Sequence, residues 1–306
     1  WASVSLNGSL GNNGYYISTT TATLTATDNQ GGSGILKTEY SLDNGQSWLN
    51  YASQIIFNQD GGYNILYKST DRAGNIEVEK TQTFKIDKTA PNINILLPLD
   101  SQEFTRDEFI TPESEISDNY SGVATSSLAL LIDGQLISQA EQDLFYYSLG
   151  RHVFKIMVSD LAGNQATSSV NFTVGADLDS TMADVNRSYN LGWISHDKVK
   201  DWLTKELNEI KKYQEKFGFR LNKLEQKKEK IMSQCLKNKS QAWCDEKLKK
   251  HYDRAVYKLS QNYKKIIAKR YQQILKKLDV YYKKQWLNKS AYDIIKADVE
   301  YLINKL

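Results

Sequence analysis

The sequence predicts a multi-domain chain, all-β followed by all-α: two tandem β-sandwiches, then a helical bundle with a long antiparallel αα-hairpin. Three observations carry this. Charge divides sharply along the 306 residues: positions 1–175 hold 9 Lys and Arg against 19 Asp and Glu, a net of −10, whereas 176–306 carry a net of +13. Hydrophobic periodicity changes at the same place, from alternation to steps of three and four residues. Within the acidic part, a pair of loop motifs recurs once, at a spacing typical of one sandwich.

The strands come first. Runs rich in Thr, Tyr, Val, Ile and Phe occur at Thr21–Thr27, Thr38–Leu42, Tyr63–Ser69, Thr81–Ile86, Ser127–Ile132, Val153–Ser159 and Ser169–Val174. In Tyr63-Asn-Ile-Leu-Tyr67 and Thr81-Gln-Thr-Phe-Lys-Ile86 a period of two puts apolar side chains on one face. Asp43-Asn-Gly, Asp60-Gly-Gly and Asp133-Gly suit tight connections, because Gly and Asn tolerate positive φ.

The repeat sets the number of sandwiches. Asp28-Asn-Gln-Gly-Gly-Ser-Gly-Ile35 returns, shortened, as Asp118-Asn-Tyr-Ser-Gly-Val123, and Asp71-Arg-Ala-Gly-Asn-Ile76 returns as Asp160-Leu-Ala-Gly-Asn-Gln165, at offsets of 90 and 89 residues. Between the copies, Ile86-Asp-Lys-Thr-Ala-Pro91 reads as a short extended connector, its proline restricting Ala90. The predicted domains are 1–91, 92–175 and 176–306.

These motifs, with Thr38-Glu-Tyr-Ser-Leu-Asp-Asn-Gly-Gln-Ser-Trp48 and Tyr67-Lys-Ser-Thr-Asp-Arg-Ala-Gly-Asn75, resemble the bacterial Ig-like surface repeat typified by leptospiral outer-surface proteins. The resemblance covers essentially all of 1–91. Residues 92–175 resemble a more divergent Ig-like relative, which keeps Gly150-Arg-His152 and Asp160-Leu-Ala-Gly-Asn164 but lacks the Tyr-Ser-Leu-Asp-Asn-Gly segment. The resemblance implies two Ig-like sandwiches serving as spacer or binding modules outside the cell.

Beyond Ala176 the period is helical. Leu203, Leu207, Ile210, Phe217, Leu221, Leu224, Ile231 and Cys235 keep alternating steps of four and three if Gln214 and Lys228 fill two polar gaps. Tyr252, Val256, Leu259, Tyr263 and Ile266 continue the rhythm, loosening towards Ile274, Leu278 and Tyr281. Two long amphipathic helices joined near Lys237–Ser240 follow. A shorter helix is predicted over Thr181–Tyr189, and another after Ser290, where Ser290-Ala-Tyr-Asp293 approximates a capping box. Val185-Asn-Arg-Ser-Tyr-Asn-Leu-Gly-Trp-Ile194, Leu203, Leu207 and Ala297-Asp-Val-Glu-Tyr-Leu-Ile-Asn-Lys-Leu306 resemble the two ends of the FIMAH domain, a small helical bundle of bacterial extracellular proteins. Residues from about 213 to 265 exceed that family's middle and read as an inserted hairpin.

Cys235 and Cys244, the only cysteines, bracket the predicted turn. Outside the cell they would lock the hairpin tip as a disulfide. A metal pair with His251, or two buried thiols, are the alternatives. Asp28, Asp71, Asp118 and Asp160 open the repeated loops and are candidate Ca²⁺ ligands, although each loop offers few of the six to eight oxygens calcium takes. The competing reading is turn chemistry, with each Asp accepting from backbone N–H groups. No other cofactor is indicated.

Lys258, Lys264, Lys265, Lys276, Lys277, Lys283 and Lys284 interleave with Tyr257, Tyr263, Tyr271, Tyr281 and Tyr282. They are candidate contacts for an anionic partner such as a wall polymer or acidic glycan. Nucleic acid is disfavoured, because the basic residues of this part are 26 Lys to 4 Arg and bidentate phosphate recognition draws on Arg. A solvated lysine face is the plainer reading.

The three histidines, His152, His196 and His251, share no motif with a nucleophile, and no G-x-S-x-G, H-E-x-x-H or phosphate-binding loop is present. Carboxylate pairs such as Asp107/Glu108 and Glu113/Glu115 fit ordinary loops. No apolar run approaches the ~18–20 residues of a transmembrane helix, and the residues from Trp1 onward show no basic and apolar signal-peptide pattern, so any signal peptide is expected to be already removed or outside this sequence. The expectation is a secreted or cell-surface, non-enzymatic segment acting as stalk and attachment module towards surface glycan, wall polymer or another surface protein. Alternatives are accessory C-terminal domains of a secreted hydrolase whose catalytic domain lies upstream, and a lattice or filament subunit in which acidic sandwich meets basic bundle head to tail.

Overall fold

The computed structural model describes residues 1–306. The chain forms two compact units. One comprises Trp1–Asp100, Thr111–Ala140 and Val153–Asn171; the other comprises Ser101–Ile110, Glu141–His152 and Phe172–Leu306.

In the first sandwich, one sheet orders Ala2–Asn7, Thr20–Ala26 and Ile55–Phe57. The second orders Tyr15–Tyr16, Lys80–Ile86, Gly61–Asp71, Ile35–Ser41 and Leu49–Asn50. All pairings are antiparallel except Tyr15–Tyr16 with Lys85 and Ile86. Alternation explains the core. Ile65 and Tyr67 from one strand and Phe84 and Ile86 from the next are buried with Leu24 and Phe57. The Phe84 ring meets Phe57 edge-on at 5.0 Å and stacks on Tyr63 at 5.3 Å, arrangements that add about 0.5–1.5 kcal/mol each beyond burial.

Turn chemistry holds at two of the three expected places. Asn44 and Gly45 both take positive φ (56° and 85°) within the longer Leu42–Trp48 connection, and Asp133 and Gly134 (51° and 79°) close a two-residue hairpin between Ile132 and Gln135 in the type I′ pattern. At Asp60-Gly-Gly the expectation fails. Gly61 and Gly62 lie inside the long strand Gly61–Asp71, and Asp60 is instead drawn to the connector, accepting from Lys88 N at 2.8 Å.

The second sandwich pairs Asn92–Leu97 with Glu113–Ser117, and Phe109–Ile110 with Gln142–Asp143. Its main sheet orders Gln102–Thr105, Gln165–Gly175, Gly150–Asp160, Val123–Ile132 and Gln135–Ile137. Phe154, Ile156 and Val158 alternate inward along the third of these strands.

Four helices complete the second unit: α1 Leu178–Asn190, α2 Asp197–Cys235, α3 Gln241–Lys283 and α4 Lys289–Asn304. Asp177 and Ser180 form a reciprocal capping box on α1. The cap of α4 is Asn288, which accepts from Ala291 N at 2.9 Å, not the expected Ser290 box. Leu203, Leu207 and Ile210 of α2 pack with Tyr271, Ile274 and Leu278 of α3 and Ile295 and Val299 of α4. The apolar stripe of α3 passes through Ile267, fully buried, and not through Ile266, half-buried. Four-residue steps from Tyr263 to Ile267 to Tyr271 keep the stripe on one face where a three-residue step was expected.

Helices of 39 and 43 residues run on the order of 60 Å at 1.5 Å per residue. Neither α1 nor α4, of 13 and 16 residues, can cover that length. Phe217, Leu221 and Leu224 are accordingly only half-buried, and Ile231 is 39% exposed. No helix is long and apolar enough to cross a membrane.

Candidate functional site

The repeated loops adopt the same local geometry in both copies. Asp71 accepts from Asn75 N at 2.8 Å and from the Asn75 amide at 2.7 Å; Asp160 accepts from the same two groups of Asn164 at 2.8 and 2.7 Å. Asp28 accepts from Gly34 N and Asp118 from Gly122 N, both at 2.7 Å. Gly74 and Gly163 stand at φ 92° and 104°, which a side chain resists.

The copies differ in what surrounds these loops. Asp28 and Asp71 border a shallow cleft with Glu77. Glu77 is committed elsewhere, accepting from Ala2 N at 2.9 Å and pairing with Lys80 at 2.5 Å. Around the second copy, Asp118 and Asp160 are joined by Asp87 from the connector, and one carboxylate oxygen of each lies within 4.8 Å of the others. Asp87 and Asp160 are 0% and 1% exposed. Their donors are neutral: Ser121 N and Thr89 N on Asp87, and Gly163 N, Asn164 N and the Asn164 amide on Asp160. An all-oxygen set of this kind suits a hard cation of the calcium type.

The same corner of the first unit fastens the sandwiches together. Asn12 N donates to Ala162 O at 2.7 Å, the Asn13 amide to Leu161 O at 2.7 Å, and the Asn164 amide to Asp87 O at 3.0 Å. Gly11 is required there, because a Cβ would lie 2.3 Å from Ala162 O. The sequence showed Asp118 and Asp160; Asp87 was missed, although it sits in the quoted connector, because a linker carboxylate carries no spacing signal of its own.

A second carboxylate group lies within the helical unit. Arg106 Nη1 bonds Asp298 Oδ1 at 2.6 Å and Ile294 O at 3.0 Å. Asp298 in turn neighbours Asp184 of α1, and all three residues are buried. Burial, then the adjacent Asp298 carboxylate, pushes the Asp184 carboxyl up to about 9. Burial also raises Asp298, against the pull of the Arg106 guanidinium. The two carboxyls hydrogen-bond each other, and a proton kept on Asp184 by its burial supplies the donor for that bond.

Cys235 and Cys244 form a disulfide at the hairpin tip. The seven candidate lysines are all exposed, six along α3 and Lys284 at its C-terminal cap. Two of the tyrosines interleaved with them are not available for stacking: Tyr271 is 1% and Tyr281 7% exposed, both in the core. Lys284 lies over the Trp286 ring at 4.6 Å. His152 is buried, stacked on Phe172 and bonded to Ser148 O; His196 precedes α2 and stacks on Trp286; His251 borders an apolar hollow of the hairpin.

No known family profile and no curated protein sequence matches the chain. Similar solved structures include the fibronectin(III)-like modules of CbhA from Clostridium thermocellum, at 17% identity over 56% of this chain and 94% of that one, TM-score 0.27. The D00-D0 domain of intimin matches at 15% identity over 56% of this chain and 100% of that one, TM-score 0.25. A Ca²⁺-stabilized adhesin with which an Antarctic bacterium reaches out and binds ice matches at 14% identity over 57% of this chain and 49% of that one, TM-score 0.24.

Proposed function

We propose that the chain is a non-catalytic attachment module of a bacterial surface or secreted protein, in which tandem sandwiches form a spacer and the helical unit makes contact. The observation that carries this reading is the joint at Asp87. Three backbone or amide bonds and a tripled carboxylate fix one sandwich on the next, as a load-transmitting spacer requires. The resemblance to bacterial Ig-like surface repeats supports the same reading, and a disulfide accords with an oxidising, extracellular compartment. Asp184, whose carboxyl burial pushes up, is sealed from solvent and so suits structure better than turnover.

Within this reading Asp87, Asp118 and Asp160 hold a calcium ion that stiffens the joint. The carboxylates of Asp87 and Asp160, buried among neutral donors, would otherwise be held at a solvation penalty.

Beads coated with the full chain, passed over glycan-, wall-polymer- and protein-coated surfaces under flow, test the attachment role. Retention above that of uncoated beads on at least one surface is expected. Retention no better than uncoated beads on every surface, or turnover of peptide, ester or glycoside substrates, overturns it.

A further inference from the structure

We infer that the second unit carries a binding cleft for a short, uncharged oligosaccharide, between the Phe145–Tyr147 turn and the outer face of α4. The inference deepens the attachment reading and rests on it, since it supplies that reading with a ligand class and an address.

The cleft is open, with a volume of about 680 Å³, within the roughly 300–1,000 Å³ usual for small-ligand sites. Its two walls differ in kind. One is aromatic: Tyr146 and Trp193 border it, their centroids 6.4 Å apart and their planes at 70°. These rings are braced from behind. Phe145, fully buried, stacks on Trp193 at 5.6 Å, and the Arg187 guanidinium lies 4.3 Å from the Phe145 centroid and 5.5 Å from that of Tyr146. Arg187 is itself held by both oxygens of Asp143. Tyr146 nonetheless remains 62% exposed. A solvent-facing ring fixed by three partners is a prepared stacking surface and not a loose side chain.

The opposite wall is polar and helical. Ser290, Asp293, Ala297, Glu300, Tyr301 and Asn304 border the cleft, and their spacing of three and four puts them on one face of α4. The other face, through Ala291, Ile295, Val299 and Leu302, is spent in the core. The bordering face therefore contributes no packing of that kind, yet it aligns two carboxylates, an amide and two hydroxyls opposite the rings, with small Ala297 leaving room between them.

That pairing of walls matches a pyranose, whose C–H face stacks on aromatic carbon while its hydroxyls bond carboxylates and amides. Charge selects an uncharged sugar. Arg106 borders the cleft but is bound to Asp298; Asp293 pairs with Lys289 at 2.5 Å, and Glu300 lies 4.0 Å from Lys296. Each charge of the lining is matched, so nothing there attracts a polyanion, in contrast to the lysine rows of α3.

The test titrates the full chain with neutral oligosaccharides (β-glucan, chitin, mannan and α-glucan fragments) and with anionic ones, following Trp fluorescence and calorimetry. Saturable binding of a neutral fragment is expected, unchanged between about 50 and 500 mM salt. Tyr146→Ala should weaken it about five- to ten-fold and Glu300→Gln about ten-fold. Both positions are solvent-facing, and an unaltered melting temperature confirms the fold. Absence of neutral-sugar binding overturns the cleft, as does a preference for anionic or salt-sensitive ligands, or binding that survives both substitutions. If the cleft fails while bead retention on protein or wall polymer persists, the attachment reading stands; if retention is absent on every surface, that reading falls as well.

Discussion

Asp184, kept protonated by its burial, hydrogen-bonds Asp298, whose Oδ1 in turn accepts from Arg106 Nη1 at 2.6 Å. The group therefore holds two carboxyls and one guanidinium with a single net negative charge to balance a single positive one. Breaking such a buried pair from one side typically costs about 3–5 kcal/mol. Asp298→Asn, which leaves Arg106 buried without its counter-charge, should lower the unfolding free energy of the helical unit by that order, read from its urea transition.

The same pair makes stability depend on pH in a specific direction. Asp184 has its folded value raised to about 9, whereas an unfolded aspartate titrates near 4. The folded unit binds a proton that the unfolded chain has released, so the contribution is complete below about pH 4 and is lost as pH climbs towards 9. Unfolding by urea should accordingly need less denaturant at pH 9 than at pH 6. Asp184→Asn should flatten that trend, and an unchanged slope in the variant would contradict the proton held on Asp184.

At the sandwich joint, a cation bound to the folded chain alone stabilises by mass action. Calcium at a hundred times its dissociation constant should contribute about 2.7 kcal/mol, read as a higher melting temperature for the β transition, reversed by chelator. Asp160→Asn should remove the calcium-dependent shift and leave the helical transition unmoved. Equal melting with calcium and with chelator in the native chain would refute binding there.

Reduction should act locally at the hairpin tip. Closing the Cys235–Cys244 loop contributes roughly 2–3 kcal/mol in the chain-entropy account, and the neighbouring side chains Gln234, Leu236, Trp243 and Asp245 are exposed. Amide exchange around 228–250 should quicken in reductant, while that around Leu207 and Ile274 stays constant.

Burial along the hairpin also predicts a gradient of mutational cost. Leu207→Ala, at a site 1% exposed, should destabilise by about 2–5 kcal/mol. Ile231→Ala, at 39% exposure, should cost under about 1 kcal/mol. Thermal melts of the two variants separate them.

Periodicity made the architecture legible. The strands around Ile65 and Phe84 and the long helices through Leu207 and Leu278 each follow a pattern that burial enforces. Local deviations were less visible. Ile267 displaced Ile266 because one four-residue step replaced a three-residue step, and Asn288 displaced Ser290 because either residue can cap. The sites were legible only in part. Asp118 and Asp160 announced themselves by repetition, but Asp87, Asp184 and Asp298 are solitary aspartates that gain meaning from partners far away in sequence: 188 residues separate Arg106 from Ile294, whose carbonyl it also bonds. Tyr146 carries no mark in the sequence, and Trp193 stands out there only as part of the Val185–Ile194 segment and not as a cleft wall, because a prepared surface is made by what stands behind the ring.

Past Tyr213 and Tyr263 the two arms leave the bundle's main cluster, and their apolar stripe repeats turn after turn. An arm of this kind can be shortened or extended by matched pairs of turns without redesigning its base. Its reach is thus an adjustable dimension, free to drift between descendants while the foundations stay put.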